Sequence, residues 1–354
     1  MVSKSILGIL FIFAVSVSLV TAQVEDRMDL SKIRKEAMIY IETLQVAGKP
    51  YGCYQLKPKG EADLYATCDI AILRTVMGEE LKTTLKDQQR REWIDYINSF
   101  AQEDGTYRGG RHSEQHRNGM VIGALGVLGG KQKYPVQFYR DFNSVEKVGL
   151  WLENIDWYRQ WGASHLFWGG IHCYSKSRRC TDTWRKAVFN WLNTNLDRQT
   201  GWWRNGENHS DRNQPLGGGA HIWPMYQHHD YPFPYPKEVI NSILDMQQED
   251  GSWIAFSNYL DLDALYGLAY MSSLAPNHRP DDIRQAVQKH GNLALKEYHP
   301  FMYRKPDTHQ LLAALGELGL LNQLNPVRFY DTVKWTDIFS DARLYDTRSV
   351  ECLK

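Results

Sequence analysis

Two stretches of the chain repeat one order of hydrophobic and polar positions. In "RREWIDYINSF" the apolar residues Trp93, Ile94, Ile97 and Phe100 recur at helical spacing, and in "KEVINSILDM" Val239, Ile240, Ile243, Leu244 and Met246 do the same. Each pattern predicts an amphipathic helix with one face to bury. Each is followed by nearly the same turn, "AQEDGTY" at Ala101–Tyr107 and "QQEDGSW" at Gln247–Trp253. Each turn then leads into a more uniformly apolar run, "HRNGMVIGALGVLGG" from His116 and "YLDLDALYGLAYM" from Tyr259. A run rich in Gly, Ala and Leu and nearly free of Lys and Arg predicts a helix packed on all sides. The unit is therefore an outer and an inner helix.

Four weaker copies complete the pattern. The first runs from "IRKEAMIYIETLQ" through "YGCY" to "DLYATCDIAILRTVMG", and the third from "VEKVGLWLENIDW" through "WGASH" to "LFWGGIHCY". The fourth runs from "WRKAVFNWLNTNL" through "DRQTGWW" to "GGGAHIWPMYQHH", and the sixth from "IRQAVQKHGNLALKEY" to "THQLLAALGELGLL". The period is about 50 residues. A longer echo, "PVQFY" at Pro135–Tyr139 and "PVRFY" at Pro326–Tyr330, points to an old duplication. No pair can bury its apolar face alone, and an open stack has no reason to stop at six. The fold expected is all-α, an (α/α)6 toroid of six helix-pair repeats with the inner helices as its barrel.

The ends of the chain add a compartment. Lys4, the apolar run Ile6–Val20 and the small residues up to Ala22 have the form of a secretory signal peptide, too short to span a bilayer. The expected organisation is a leader over 1–22, one toroid domain over 23–330 and a C-terminal extension over 331–354. The 41 Lys and Arg balance 41 Asp and Glu, so no net field draws the chain to nucleic acid or anionic membrane. In an exported chain the five cysteines imply bridging. Cys173 and Cys180, flanking "YSKSRR", make the shortest closure; Cys53 with Cys68 is the next candidate, Cys352 is left over, and the connectivity stays open. "NHS" places an N-glycosylation acceptor at Asn208.

"QQEDGSW" resembles the glutamine–tryptophan turn of the terpenoid cyclase and protein prenyltransferase α/α toroid superfamily. The resemblance implies that the turn is a structural joint, made by Gln248, Gly251 and Trp253, by Gln102, Gly105 and Tyr107, and by Gly201 with Trp203. Prenyltransferases of the superfamily hold zinc with an Asp-x-Cys pair and a His from the next inner helix. Here the pair is Asp261-Leu262-Asp263 and the His is His309; lacking the cysteine, the set suits a harder divalent metal. No metal ligands are assigned, and the cofactor is unknown. "DLD" also faintly resembles the acid motif of class II terpene cyclases, with Ala264 where the doubled Asp would stand.

Chemistry is expected where the inner helices begin, because their unpaired N–H groups open on one mouth. Cys68 and Asp69, His116, Arg117 and Asn118, His165, Trp168 and His172, His221 and Trp223, Asp261 and Asp263, and Asp307 and His309 lie there. Asp69, His116, His221, Asp263 and His309 are the candidate catalytic groups; Arg117, Trp168, Trp223 and Asp261 are candidates for binding substrate. The 12 Trp and 20 Tyr suit stacking against sugar rings or terpene carbocations. Export and aromatic content together point to a secreted enzyme acting on glycans, of polysaccharide lyase or glycoside hydrolase type. Its expected partner is an extracellular polysaccharide or small molecule in the central cleft, with no nucleic acid and no membrane span. The alternatives are a non-catalytic extracellular matrix or binding protein on the same scaffold, or a terpene cyclase- or prenyltransferase-like enzyme.

Overall fold

A computed structural model describes residues 27–109, 112–204 and 211–345. The expected leader over 1–22, the expected glycosylation site Asn208, and Cys352 lie outside the described residues. The chain is mostly helical. Outer helices alternate with inner ones, of which all but α6 are buried along most of their length: α1 (Leu30–Leu44), α2 (Leu64–Val76), α3 (Asp87–Asn98), α4 (Glu114–Leu128), α5 (Val145–Glu153), α6 (Gln160–Leu166), α7 (Asp182–Thr194), α8 (Asn213–His228), α9 (Pro236–Leu244), α10 (Tyr259–Leu274), α11 (Pro280–Tyr303) and α12 (Thr308–Leu324). The two-residue strands Met28–Asp29 and Phe329–Tyr330 pair in parallel near the ends of the described chain. Among the described residues, no helix is long and apolar enough to cross a membrane.

The even-numbered helices pack in a circuit. α2 contacts α4, α4 contacts the continuation of α6, and α6, α8, α10 and α12 follow in succession until α12 packs back on α2. Their sequences explain the arrangement: α4 is buried continuously from Asn118 to Leu128, whereas its amphipathic partner α3 buries only Trp93 and Ile97. Most of these inner helices begin on a side-chain cap. Asp63 accepts from the Tyr65 and Ala66 N–H groups, Ser113 from His116, Asn258 from Leu260, and Asp307 from Gln310 within a capping box. α6 departs from the others. Its first residues include "WGASH", expected as a connector but helical here, and it continues as a π-helix over Phe167–His172 and a short α-turn over Cys173–Lys176. Gly169 permits this: a Cβ there would lie 1.8 Å from the Gln115 carbonyl oxygen, so only glycine lets α6 and α4 come this close.

The repeated turn is a joint between units. Trp253, 2 % exposed, donates its indole N–H to Ile243 O at 2.9 Å. Trp203 and Trp157 do the same to Leu192 O and Leu152 O in two other units. Gln248 Nε2 donates to Trp253 O, and the neighbouring Gln247 reaches Ala286 O on the next outer helix, both at 2.9 Å. Gly251 has φ 94° and stands against the backbone of Lys289 and His290, so a side chain there would be both strained and obstructed. The two "QED" turns match in detail: Asp104 accepts from the N–H and hydroxyl of Thr106 at 2.9 and 2.7 Å, and Asp250 from those of Ser252 at the same distances.

One expectation needs correction. Cys173 and Cys180 are free thiols, as are Cys53 and Cys68. Cys173 opens the buried end of α6 and is turned into the core, while the Cys180 thiol lies beside Thr181 O past the turn, so sequence closeness does not bring the sulfurs together. The segment after Tyr330, set apart as an extension, is folded into the body as far as Tyr345. Trp335 is fully buried, Thr336 N–H bonds Val76 O at the end of α2, and Phe339 stacks on Tyr266 with ring centroids 4.4 Å apart. The segment therefore covers the end of the circuit where the inner helices finish. The "PVQFY" echo also divides: Phe329–Tyr330 is a strand because Met28–Asp29 lies beside it, whereas Phe138–Asp141 is a 3-10 turn.

Candidate functional site

At the opposite end, where the inner helices start, a cavity of about 260 Å³ is walled by every inner helix except α2. His112 precedes the cap of α4 and His116 lies in its first turn; Trp161 and His165 come from α6 and Trp168 from its π-helical continuation, His221 from α8, Tyr259 and Asp263 from α10, and His309 from α12. Its floor is the C-terminal segment, through Ile338, Phe339 and Tyr345. The caps explain part of the placement. α2, α4, α10 and α12 are entered through an Asp, Ser or Asn cap, which fixes where their first turns meet the mouth, whereas α6 and α8 start at Arg159 and Arg212 without a side-chain cap.

α2 contributes from behind. Asp69, fully buried, accepts from the Thr308 hydroxyl at 2.8 Å and faces His309 Nδ1 at 3.0 Å. The Tyr259 hydroxyl donates to His309 O at 3.0 Å, so its oxygen is an acceptor toward His309 Nδ1 at 3.1 Å. Nδ1 therefore carries a proton. The same logic settles His221: Ser164 donates to Trp161 O at 2.9 Å and must accept from His221 Nδ1–H, also at 2.9 Å. Tyr65 Oη lies 3.0 Å from His116 Nδ1.

Five imidazoles crowd one side of the mouth. Ring centroids are 4.4 Å apart for His112 and His116, 4.6 Å for His116 and His165, and 5.0 Å for His165 and His221. His116, His165 and His221 each offer a ring nitrogen within 4.8 Å of the other two. Burial, then the neighbouring imidazoles beginning with His165, holds His116 well below the ordinary histidine range. Burial and then His221 bring His165 down to about 2, and burial brings His221 to about 4 against an opposing hydrogen bond from its ring N–H to the Gly217 backbone carbonyl. The three are neutral lone-pair donors at pH 7. Asp263 is shifted the other way: burial, then the charge of Asp261, pushes its carboxyl well above the carboxylate range, and Oδ2 has no hydrogen-bond partner. A buried carboxyl without a partner is most stable protonated.

The structure sorts the candidates read from the sequence. His116, His221, Asp263, His309 and Trp168 line the cavity, with Asp69 directly behind His309. Arg117, Trp223 and Asp261 do not. Arg117 follows His116 on α4 and leaves the wall, and Trp223 is packed between Gly219 and Gly267 and stacks on Trp202 at 5.7 Å. Asp261 braces the repeated turn, accepting from the N–H groups of Trp253, Ile254 and Ala255 at 2.8, 2.8 and 3.0 Å. A metal set of Asp261, Asp263 and His309 is therefore not assembled. Sequence reading missed His112, Tyr65, Tyr259, Ser164 and the C-terminal floor; only the spacing of His112 and His116, one helical turn apart, carried a signal. Of the tryptophans, Trp161 and Trp168 reach the cavity, while Trp93, Trp184, Trp202, Trp203, Trp223, Trp253 and Trp335 are fully buried packing.

No family model, curated protein or solved structure matches this chain.

Proposed function

We propose that the protein is an exported enzyme on an (α/α)6 toroid of six helix-pair repeats, performing acid–base chemistry on a compact, largely apolar substrate at the mouth of the inner-helix barrel. The observation that carries this reading is Asp263: a buried carboxyl with an unpartnered oxygen on the wall of a pocket that also holds the Asp69–His309 pair. Asp263 Oδ2 holds a proton where a substrate can receive it, at an alkene carbon or a leaving oxygen. His309, oriented through Nδ1 by Asp69 and Tyr259, presents Nε2 to take a proton away. Met120, Leu312, Ile338, Phe339, Trp161 and Trp168 exclude water and offer aromatic faces to positive charge developing on the substrate.

This favours the terpene cyclase-like reading over a polymeric glycan. A sugar chain needs an open groove along which successive rings can lie, and this cavity is closed below by Ile338, Phe339 and Tyr345. A glycan end stacked on Trp161 and Trp168 is the second reading, supported by those two rings. The test is to incubate purified protein with a panel of isoprenoid alkenes and a panel of neutral and acidic oligosaccharides, following products by mass. Turnover of an alkene that disappears in Asp263→Asn supports the proposal. Turnover retained in that variant, or confined to oligosaccharides, refutes it.

A further inference from the structure

The Asp69–His309 pair and Asp263 leave the densest group of titratable side chains unexplained. Neutral imidazoles are rarely brought together from three helices without a ligand to share, because each contributes polar nitrogens to a largely apolar wall. His116 on α4, His165 on α6 and His221 on α8 place one ring nitrogen each within 4.8 Å of the other two. We infer that these three histidines form a binding site for one divalent transition metal ion, with its remaining coordination position open to the substrate pocket.

The outer contacts fit this role. Metal-bound histidine characteristically donates its other ring N–H to an oxygen that fixes tautomer and orientation. Ser164 accepts a hydrogen bond from His221 Nδ1–H, because its own hydroxyl donates to Trp161 O, and this leaves the Nε2 lone pair for the metal. Tyr65, 3.0 Å from His116 Nδ1, can serve His116 in the same way. Three nitrogens about 2.1 Å from one ion stand roughly 3.4 Å apart in a tetrahedral arrangement, so side-chain rotations closing each gap by up to about 1.4 Å complete the site. Three imidazoles and no carboxylate suit zinc, copper, iron, cobalt or nickel rather than magnesium or calcium. The ligand of the open position is then a water or a donor atom of a molecule held in the pocket. Asp263, with its unpartnered Oδ2 on the same wall, is a second polar group with a ligand to find.

The inference rests on the mouth being the ligand site but not on the acid–base assignment there. The full-length protein, stripped with chelator, is titrated with Zn²⁺ alone by calorimetry and then with Co²⁺, whose visible absorption reports a tetrahedral nitrogen-rich site. One ion per chain is expected, with affinity weakened on the order of 100-fold or more in His165→Ala and in His221→Ala. His172→Ala, a buried histidine of the same helix off the cavity wall, should retain it. Should a ligand variant fail to fold, Ser164→Ala supplies the reading, with a loss of about 10- to 100-fold expected. Absence of stoichiometric zinc on folded protein, or affinity indifferent to His165, His221 and Ser164, overturns the site. Asp263→Asn separates the two proposals: it should abolish turnover yet keep zinc, and loss of zinc binding in the wild type with turnover intact would remove the metal and leave the acid–base reading standing.

Discussion

Replacing Asp263 by Asn should stabilise the protein, and by an amount that grows with pH. The side chain is 2 % exposed, one oxygen has no partner, and burial holds the carboxyl protonated well above the model-compound value of 3.8. Below that value folded and unfolded chains are equally protonated at this position, and the acid contributes no pH dependence. As pH rises, the unfolded chain releases the proton while the folded one keeps it, so folding loses stability. The slope is about 1.4 kcal/mol per pH unit until the folded group also ionises. By pH 6, some two units above the unfolded value, the accumulated penalty reaches up to about 3 kcal/mol. Asn keeps the shape and never ionises, so the difference between variant and wild type should be near zero at pH 4 and widen toward pH 6. Urea melts across that range, with chelator present throughout, measure it directly. An Asn variant less stable than wild type at every pH would mean that the carboxylate is charged and partnered, and would refute the assignment of Asp263 as a proton donor.

Three other outcomes follow from the packing. Trp253→Ala removes a buried ring and one of the donors to Ile243 O, and should cost about 3–5 kcal/mol in urea melts; an unchanged midpoint would show that the turn is not a joint. His228 bonds His172 Nε2 at 3.1 Å and Ser340 O at 3.2 Å, and burial brings it to about 4. Its contribution should be lost as pH falls from about 6.5 toward 4, at up to about 1.4 kcal/mol per unit, so the stability gap to His228→Asn should narrow on acidification. Alkylation of the denatured, unreduced chain should modify Cys173 and Cys180; a bridged peptide in digests would contradict their observed separation.

The amino-acid order alone carried the alternation of amphipathic and apolar helices, because burial on one side or on all sides leaves a periodic trace that needs no knowledge of neighbours. The joints were legible for the same local reason: a left-handed glycine, a bracing glutamine and an indole N–H all act within a few residues of Gly251. The polar residues at the mouth could be named from their position at the start of inner helices, and Asp69, His116, His221, Asp263 and His309 do meet around one cavity or directly behind it. Their division of labour could not be read in this way. Asp261 and Asp263 are two residues apart, about 200° around the helix, so one binds the turn and the other faces the pocket. Which is which depends on the rotation of α10 against its neighbours. The neutral state of the histidines likewise arises from three helices converging, and no local pattern encodes that distance. The C-terminal floor and the free cysteines were settled by tertiary packing too, since proximity along the chain does not direct side chains toward one another.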